Sequence, residues 1–171
     1  MSLMETENPI LYLLMRTDMA SMNPGKAIAQ GAHAANQFTM TMRAVWNKHH
    51  NSSNTEVGNE MYSTTGMPTN LLYTEDSLRL WECWEGSAVS QTGYAQGFGT
   101  TITLDVGTEK VLTEVVECAR AAGCPAEVTF DPTYPLVDGD VVHLLPVVTC
   151  GYVFGDKNYL SPLLSKFNLH P

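Results

Sequence analysis

Cations are scarce in this 171-residue chain: nine Lys and Arg stand against eighteen Asp and Glu, and the formal net charge is −9. That deficit excludes a broadly basic nucleic-acid binder. A local cationic site on an acidic body stays open, because attraction to phosphate follows the local field rather than the total charge. Long apolar runs are missing too. Ile10 to Met15 is the longest near the N-terminus. It falls far short of the roughly 20 residues that span a bilayer, and it has neither the basic region nor the cleavage site of a signal peptide. The four cysteines (83, 118, 124, 150) show no CxxC spacing, which reads as reduced thiols in a cytoplasmic compartment. The five histidines never fall in HxH or HxxxH spacing, so no metal site is expected. There is no P-loop, no GxSxG elbow, and Gly93, Gly97 and Gly99 do not make GxGxxG. No cofactor is expected.

What is present is ordinary globular composition, 44% hydrophobic and 16% charged, sized for one domain over residues 1–171. Met1-Ser2-Leu3 ahead of Met4 reads as a cloning addition. Ile10–Met15 is continuously apolar, as a strand buried on both faces is. Asn23 and Pro24 open a helix that the Ala-rich run carries to about Met42. On it, Ile28, Ala35 and Met42 are expected to form a core stripe, with Lys26, Gln30, His33 and Gln37 on the other side. Residues from about 47 to 73 are polar and read as an insertion. Thr74-Glu75-Asp76 starts a second helix carrying Leu78, Trp81 and Trp84. A strand over Gly99–Val106, a helix capped by Thr108 and stopped by Gly123, and a short strand Ala126–Phe130 follow. Asp131 to Pro135 breaks regular structure and opens a lengthened loop at about 132–146. Val147–Phe154 is a last strand, and Leu160–Phe167 a terminal helix. Strand-helix alternation predicts an α/β layer fold, mostly parallel, with one strand antiparallel.

Three groups could carry chemistry. Lys26, Gln30 and His33 share a helix face: a cation for developing negative charge, an amide to orient a partner, an acid or base near neutral pH. A solvated polar face explains the same spacing. Asp131 ends a strand, where ligands of α/β sheets commonly bind, but an Asx turn before Pro132 explains it equally. Trp81 and Trp84, at i, i+3, could stack a base or fill a core.

The run Leu14-Met15-Arg16-Thr17-Asp18-Met19 and Pro24-Gly25-Lys26-Ala27-Ile28-Ala29-Gln30-Gly31-Ala32-His33-Ala34-Ala35 resembles the opening of the archaeal and eukaryotic type of peptidyl-tRNA hydrolase. That family begins with an apolar strand, Arg-Thr-Asp-Leu, a loop, Gly-Lys, then Ala-Gln-x-x-His-Ala. The resemblance extends more weakly over about two thirds of the chain. It implies a three-layer α/β/α fold with a four-stranded mixed sheet. It implies metal-independent hydrolysis of the ester between peptide and tRNA, with peptidyl-tRNA as partner and no membrane. Lys26 and Asp131 match the family's active-site lysine and aspartate; Gln30 and His33 match polar positions of the same cleft. Where the family continues Asp-Ala-Gly-Arg-Thr, this chain has Asp131-Pro132-Thr133-Tyr134-Pro135. The arginine is absent and Thr133 is the nearest threonine. The lost arginine and threonine, the acidic charge and the Trp81/Trp84 segment motivate a second reading, a non-catalytic binding or regulatory protein on the same fold, as a homodimer or with a stable partner; an insertion reshaping the cleft motivates a third, a hydrolase of another acyl ester.

Overall fold

The computed structural model describes residues 7–51, 74–92 and 98–171. Met1–Leu3, the glycines at 93 and 97, and residues 52–73 of the expected insertion lie outside them. In chain order come strand β1 (Pro9–Arg16), helix α1 (Pro24–Asn51), helix α2 (Glu75–Thr92), strand β2 (Thr101–Gly107) and helix α3 (Glu109–Ala121). Strands β3 (Ala126–Asp138) and β4 (Val141–Asp156), helix α4 (Lys157–Leu164) and strand β5 (Asn168–Leu169) complete them. One sheet takes all the strands in the order β3-β4-β1-β2-β5.

β1 is apolar from Ile10 to Met15, as suits a central strand covered on both sides. Ile10, Tyr12 and Leu14 face a core with Leu112, Val115, Val116 and Ala119 of α3 and Leu160 and Leu164 of α4. Leu11, Leu13 and Met15 face a second core with Ala27, Ala34, Phe38 and Met42 of α1 and Leu78, Trp81 and Trp84 of α2. The three layers expected of the fold are thus formed. Both tryptophans are buried: they fill the core and are not a base-stacking platform. The caps fall at the predicted residues. Asn23 Oδ1 accepts from Lys26 N, Thr108 from Val111 N, and Gly123 takes the positive φ of 80° that follows α3.

The sheet corrects the sequence reading. Among the described residues it has five strands, not four. β1 and β2 are parallel, whereas both β4 and β5 run against them, so two strands are antiparallel rather than one. β5 is two residues long, too short for any periodic signal. The expected loop at 132–146 is a β-hairpin arm. β3 passes Pro132 through an irregularity between Asp131 and Tyr134 and then pairs with β4, Pro135 included, in regular register to Asp138↔Val141. β3 is an edge strand, where prolines are tolerated, and Gly139 at φ 59° makes the tight turn.

Helix α1 also differs from expectation. It continues to Asn51, and Ile28 is 75% exposed. The contact face runs through Ala27, Gly31, Ala34, Phe38 and Met42, at i, i+4, i+7, i+11 and i+15, a quarter turn from Ile28 and Ala35. Alanine and glycine add little hydrophobic contrast, so the true stripe is faint in the sequence. Glutamines 30 and 37 flank it against β3 and β4. The terminal helix starts at Lys157 rather than Leu160, because Asp156 Oδ1 accepts from Asn158 N and Tyr159 N and caps it.

Backbones approach closely where β4 crosses β3. A Cβ on Gly151 would lie 2.6 Å from the Glu127 carbonyl oxygen. Gly151→Ala is therefore expected to destabilise the fold by about 1–3 kcal/mol, read as a lowered urea midpoint at unchanged slope.

Candidate functional site

The first turns of α1 lie over β3 and β4 where the sheet bends into the hairpin arm. Lys26 is half-buried. Its Nζ donates to the Pro135 carbonyl at 3.0 Å and sits 4.8 Å from the centre of the Tyr134 ring, a cation–π contact. That ring is fully buried, and its hydroxyl is 3.1 Å from Ser21 Oγ. The ion pairs among the described residues belong to Arg16, Arg43, Arg79, Lys110 and Arg120. Lys26 thus holds its position through neutral groups, and no carboxylate among the described residues pairs with it to cancel its charge.

One turn on, Gln30 is buried at 4% exposure. Its Nε2 donates to Asp131 Oδ2 at 2.7 Å, and its Oε1 accepts from Thr149 Oγ1 at 2.6 Å. The two bonds fix which way the amide points. Asp131 Oδ1 accepts from Thr133 N at 2.9 Å and Thr133 Oγ1 at 3.4 Å. The Asx turn and the inward contact are therefore made by the same carboxylate, one oxygen each. Asp131 has no cationic partner among the described residues and is only partly exposed. Lys26 and Gln30, one helical turn apart on α1, thus meet β3 at Pro135 and Asp131, with Gln30 joining helix to strand.

His33 is not brought in. It is exposed and its side chain makes no hydrogen bond among the described residues, because its position on α1 is rotated further from the sheet than Gln30. Gln37 belongs to a second polar group: its Nε2 donates to Glu127 Oε2 at 2.9 Å, and it accepts from Thr129 Oγ1 at 2.9 Å. Tyr152 and Arg120 complete the shell of the buried Glu127. Sequence reading missed Thr149, Tyr134 and Ser21. The only available signal was a hydroxyl inside the apolar run of the last strand.

The loop after β1 is tied down by Arg16. Its guanidinium binds both oxygens of Asp18, Glu109 Oε2 at 2.6 Å and the Val148 carbonyl at 2.6 Å. The Asp18 hydrogen bonds are the main cause that raises Arg16, and the same bonds hold the Asp18 carboxyl below its usual range. This clamp fixes the loop that carries Ser21 and the Asn23 cap.

Cys150 lies beneath Gln30, with Sγ donating to the Gln30 carbonyl at 3.1 Å. Burial pushes its thiol from 9.0 to about 11. Below pH 9 the folded and unfolded chains are both protonated there. Between pH 9 and 11 the unfolded chain loses the proton first, so stability falls by about 1.4 kcal/mol per pH unit. Cys150→Ala is expected to remove that slope from urea titrations. At pH 8, thiol reagents should label the exposed Cys83 and Cys118 and spare Cys150 until the chain unfolds.

The family model for peptidyl-tRNA hydrolase PTH2 matches residues 10–140, from β1 to the turn of the hairpin arm. The chain belongs to the peptidyl-tRNA hydrolase PTH2 family. Among curated proteins none matches it. The stretch matched by the PTH2 model contains Lys26, Gln30, His33, Asp131 and Thr133, whereas Thr149 lies beyond it. Among the described residues no group of three His, Cys, Asp or Glu side chains is placed to hold a metal ion. No described helix is long and apolar enough to cross a membrane.

Proposed function

We propose that this chain hydrolyses the ester between the peptide and the terminal ribose of peptidyl-tRNA, with Asp131 and Lys26 on either side of the scissile carbonyl. The observation that carries the reading is the Gln30 bridge: the Asp131 carboxylate is bonded to the residue one helical turn after Lys26, whose ammonium is bound by neutral groups. The Asp131 carboxylate orients a water and takes its proton as oxygen adds to the carbonyl carbon. Negative charge then develops on the carbonyl oxygen. The Lys26 ammonium stabilises it more than it stabilises the neutral ester, and so lowers the barrier. Collapse breaks the acyl–oxygen bond. The ribose oxygen takes the proton, and the products are a peptide acid and tRNA. No metal or cofactor enters these steps. Gln30, Thr149 and Thr133 are positioning residues, and His33 is assigned no chemical step.

Purified protein is expected to release tRNA from a peptidyl-tRNA over many turnovers, before and after treatment of the protein with a chelator. Lys26→Met is expected to lower kcat by about 10²–10³-fold, the usual cost of losing one oxyanion donor. The charge of −9 favours a second reading, a non-catalytic binding protein on this fold. No release of tRNA, together with a homodimer or a stable partner complex in light scattering, would decide for that reading.

A further inference from the structure

The hairpin arm carries apolar side chains on both faces at a level unusual for a solvated hairpin. Leu145, Val141, Val142, Leu144 and Val137 are 43–70% exposed. Residues opposite each other on antiparallel strands share a face, and alternate residues follow them. The pairs Tyr134↔Leu145, Leu136↔His143 and Asp138↔Val141 therefore place Leu145, Leu136 and Val141 on the face of Tyr134, with His143 beside Leu136 and Asp138 beside Val141. That face is the one turned to Lys26, and it continues the surface on which Gln30 meets Asp131. Pro135, Val137, Val142 and Leu144 stand on the opposite face.

Resting on the hydrolase reading above, we infer that the Leu136–Val141–Leu145 face of the arm binds apolar side chains of the peptide part of the substrate. Charge separates the two halves of such a substrate. No Lys or Arg occurs between Arg120 and Lys157, while Asp138 and Asp140 flank the turn. An arm with acids at its tip and no cation repels phosphodiesters and offers no counterion exchange. The RNA lies elsewhere, and the acyl chain leaving the carbonyl meets the arm. Three Leu and Val side chains on this face give a peptide apolar area to bury.

The test compares two substrates on the same tRNA, an N-acetylglycyl ester and an N-acetylated ester with several leucines. The variants are Val141→Thr with Leu145→Thr, and Val142→Thr with Leu144→Thr as the opposite-face control. Threonine keeps strand propensity, and urea midpoints check folding. The first pair is expected to lower the leucine-to-glycine ratio of kcat/KM by about tenfold or more, and the control pair to leave that ratio unchanged. An unchanged ratio in the first pair, or an equal fall in both pairs, overturns the inference while the hydrolase reading stands. A wild-type protein that cleaves neither ester overturns both. Light scattering on the same samples covers the other occupant: a dimer dispersed by Val141→Thr with Leu145→Thr would assign this face to a second copy of the chain and overturn the inference.

Discussion

Asp131→Asn is expected to lower kcat for peptidyl-tRNA by about 10²–10⁴-fold, the range for a lost general base, with the fold intact. The substitution keeps volume and keeps an oxygen for Thr133 N, which now bonds Oδ1 at 2.9 Å. At the other oxygen the new amide would oppose its NH₂ to Gln30 Nε2. The Gln30 amide can turn over, accept from that NH₂, and donate to Thr149 Oγ1, since a hydroxyl both donates and accepts. No buried group is left unpaired, so stability should change by no more than about 1 kcal/mol. What the variant lacks is a basic carboxylate beside the carbonyl. Single-turnover release of tRNA measures the rate and a urea titration the stability. A variant with near-native kcat would remove Asp131 from the mechanism.

Phe38→Ala carries the largest expected effect on the fold. Phe38 is fully buried and lies edge-on to Trp84 at 5.5 Å and Tyr152 at 5.3 Å, and tilted against Phe154 at 4.9 Å. It is the anchor through which the middle of α1 grips the sheet and α2. Truncation leaves a cavity among large rings that cannot close around it. The expected loss is about 3–5 kcal/mol, a large part of the roughly 5–15 kcal/mol typical of a domain. Because α1 holds Lys26 and Gln30, hydrolysis should fail at lower urea concentration than in the wild type, together with the loss of helix signal. A cost below about 1 kcal/mol would mean that α1 is held mainly elsewhere.

The parts of the fold readable in the sequence are those whose signals are local. Ile10–Met15 announced a central strand because both faces are buried, and Asn23, Thr108 and Gly123 announced helix ends because capping needs those side chains or that φ. Lys26, Gln30 and Asp131 were legible through their pattern on a helix face and at a strand end. The Gln30–Asp131 contact was not legible from spacing, since it depends on how α1 packs over the β3–β4 hairpin, which pairs Asp131 with Val147 and Thr129 with Cys150. The hairpin arm was hidden for a related reason. Two prolines near Asp131 read as a stop, yet an edge strand absorbs them. His33 shows the limit of spacing: it shares the helix-face pattern with Gln30, but a small rotation around the helix separates a buried position from an exposed one. Thr149 could be understood only once Gln30 was seen to need a partner for its oxygen.

That Lys26 and Asp131 act on one carbonyl is tested most directly by a double-mutant cycle on kcat/KM with peptidyl-tRNA. The four proteins are the wild type, Lys26→Met, Asp131→Asn and the double variant. Groups that serve one transition state lose their value together, so the double variant is predicted to match the worse single variant to within about threefold. Losses that multiply across the two sites would mean that the ammonium and the carboxylate work independently, and would contradict the account.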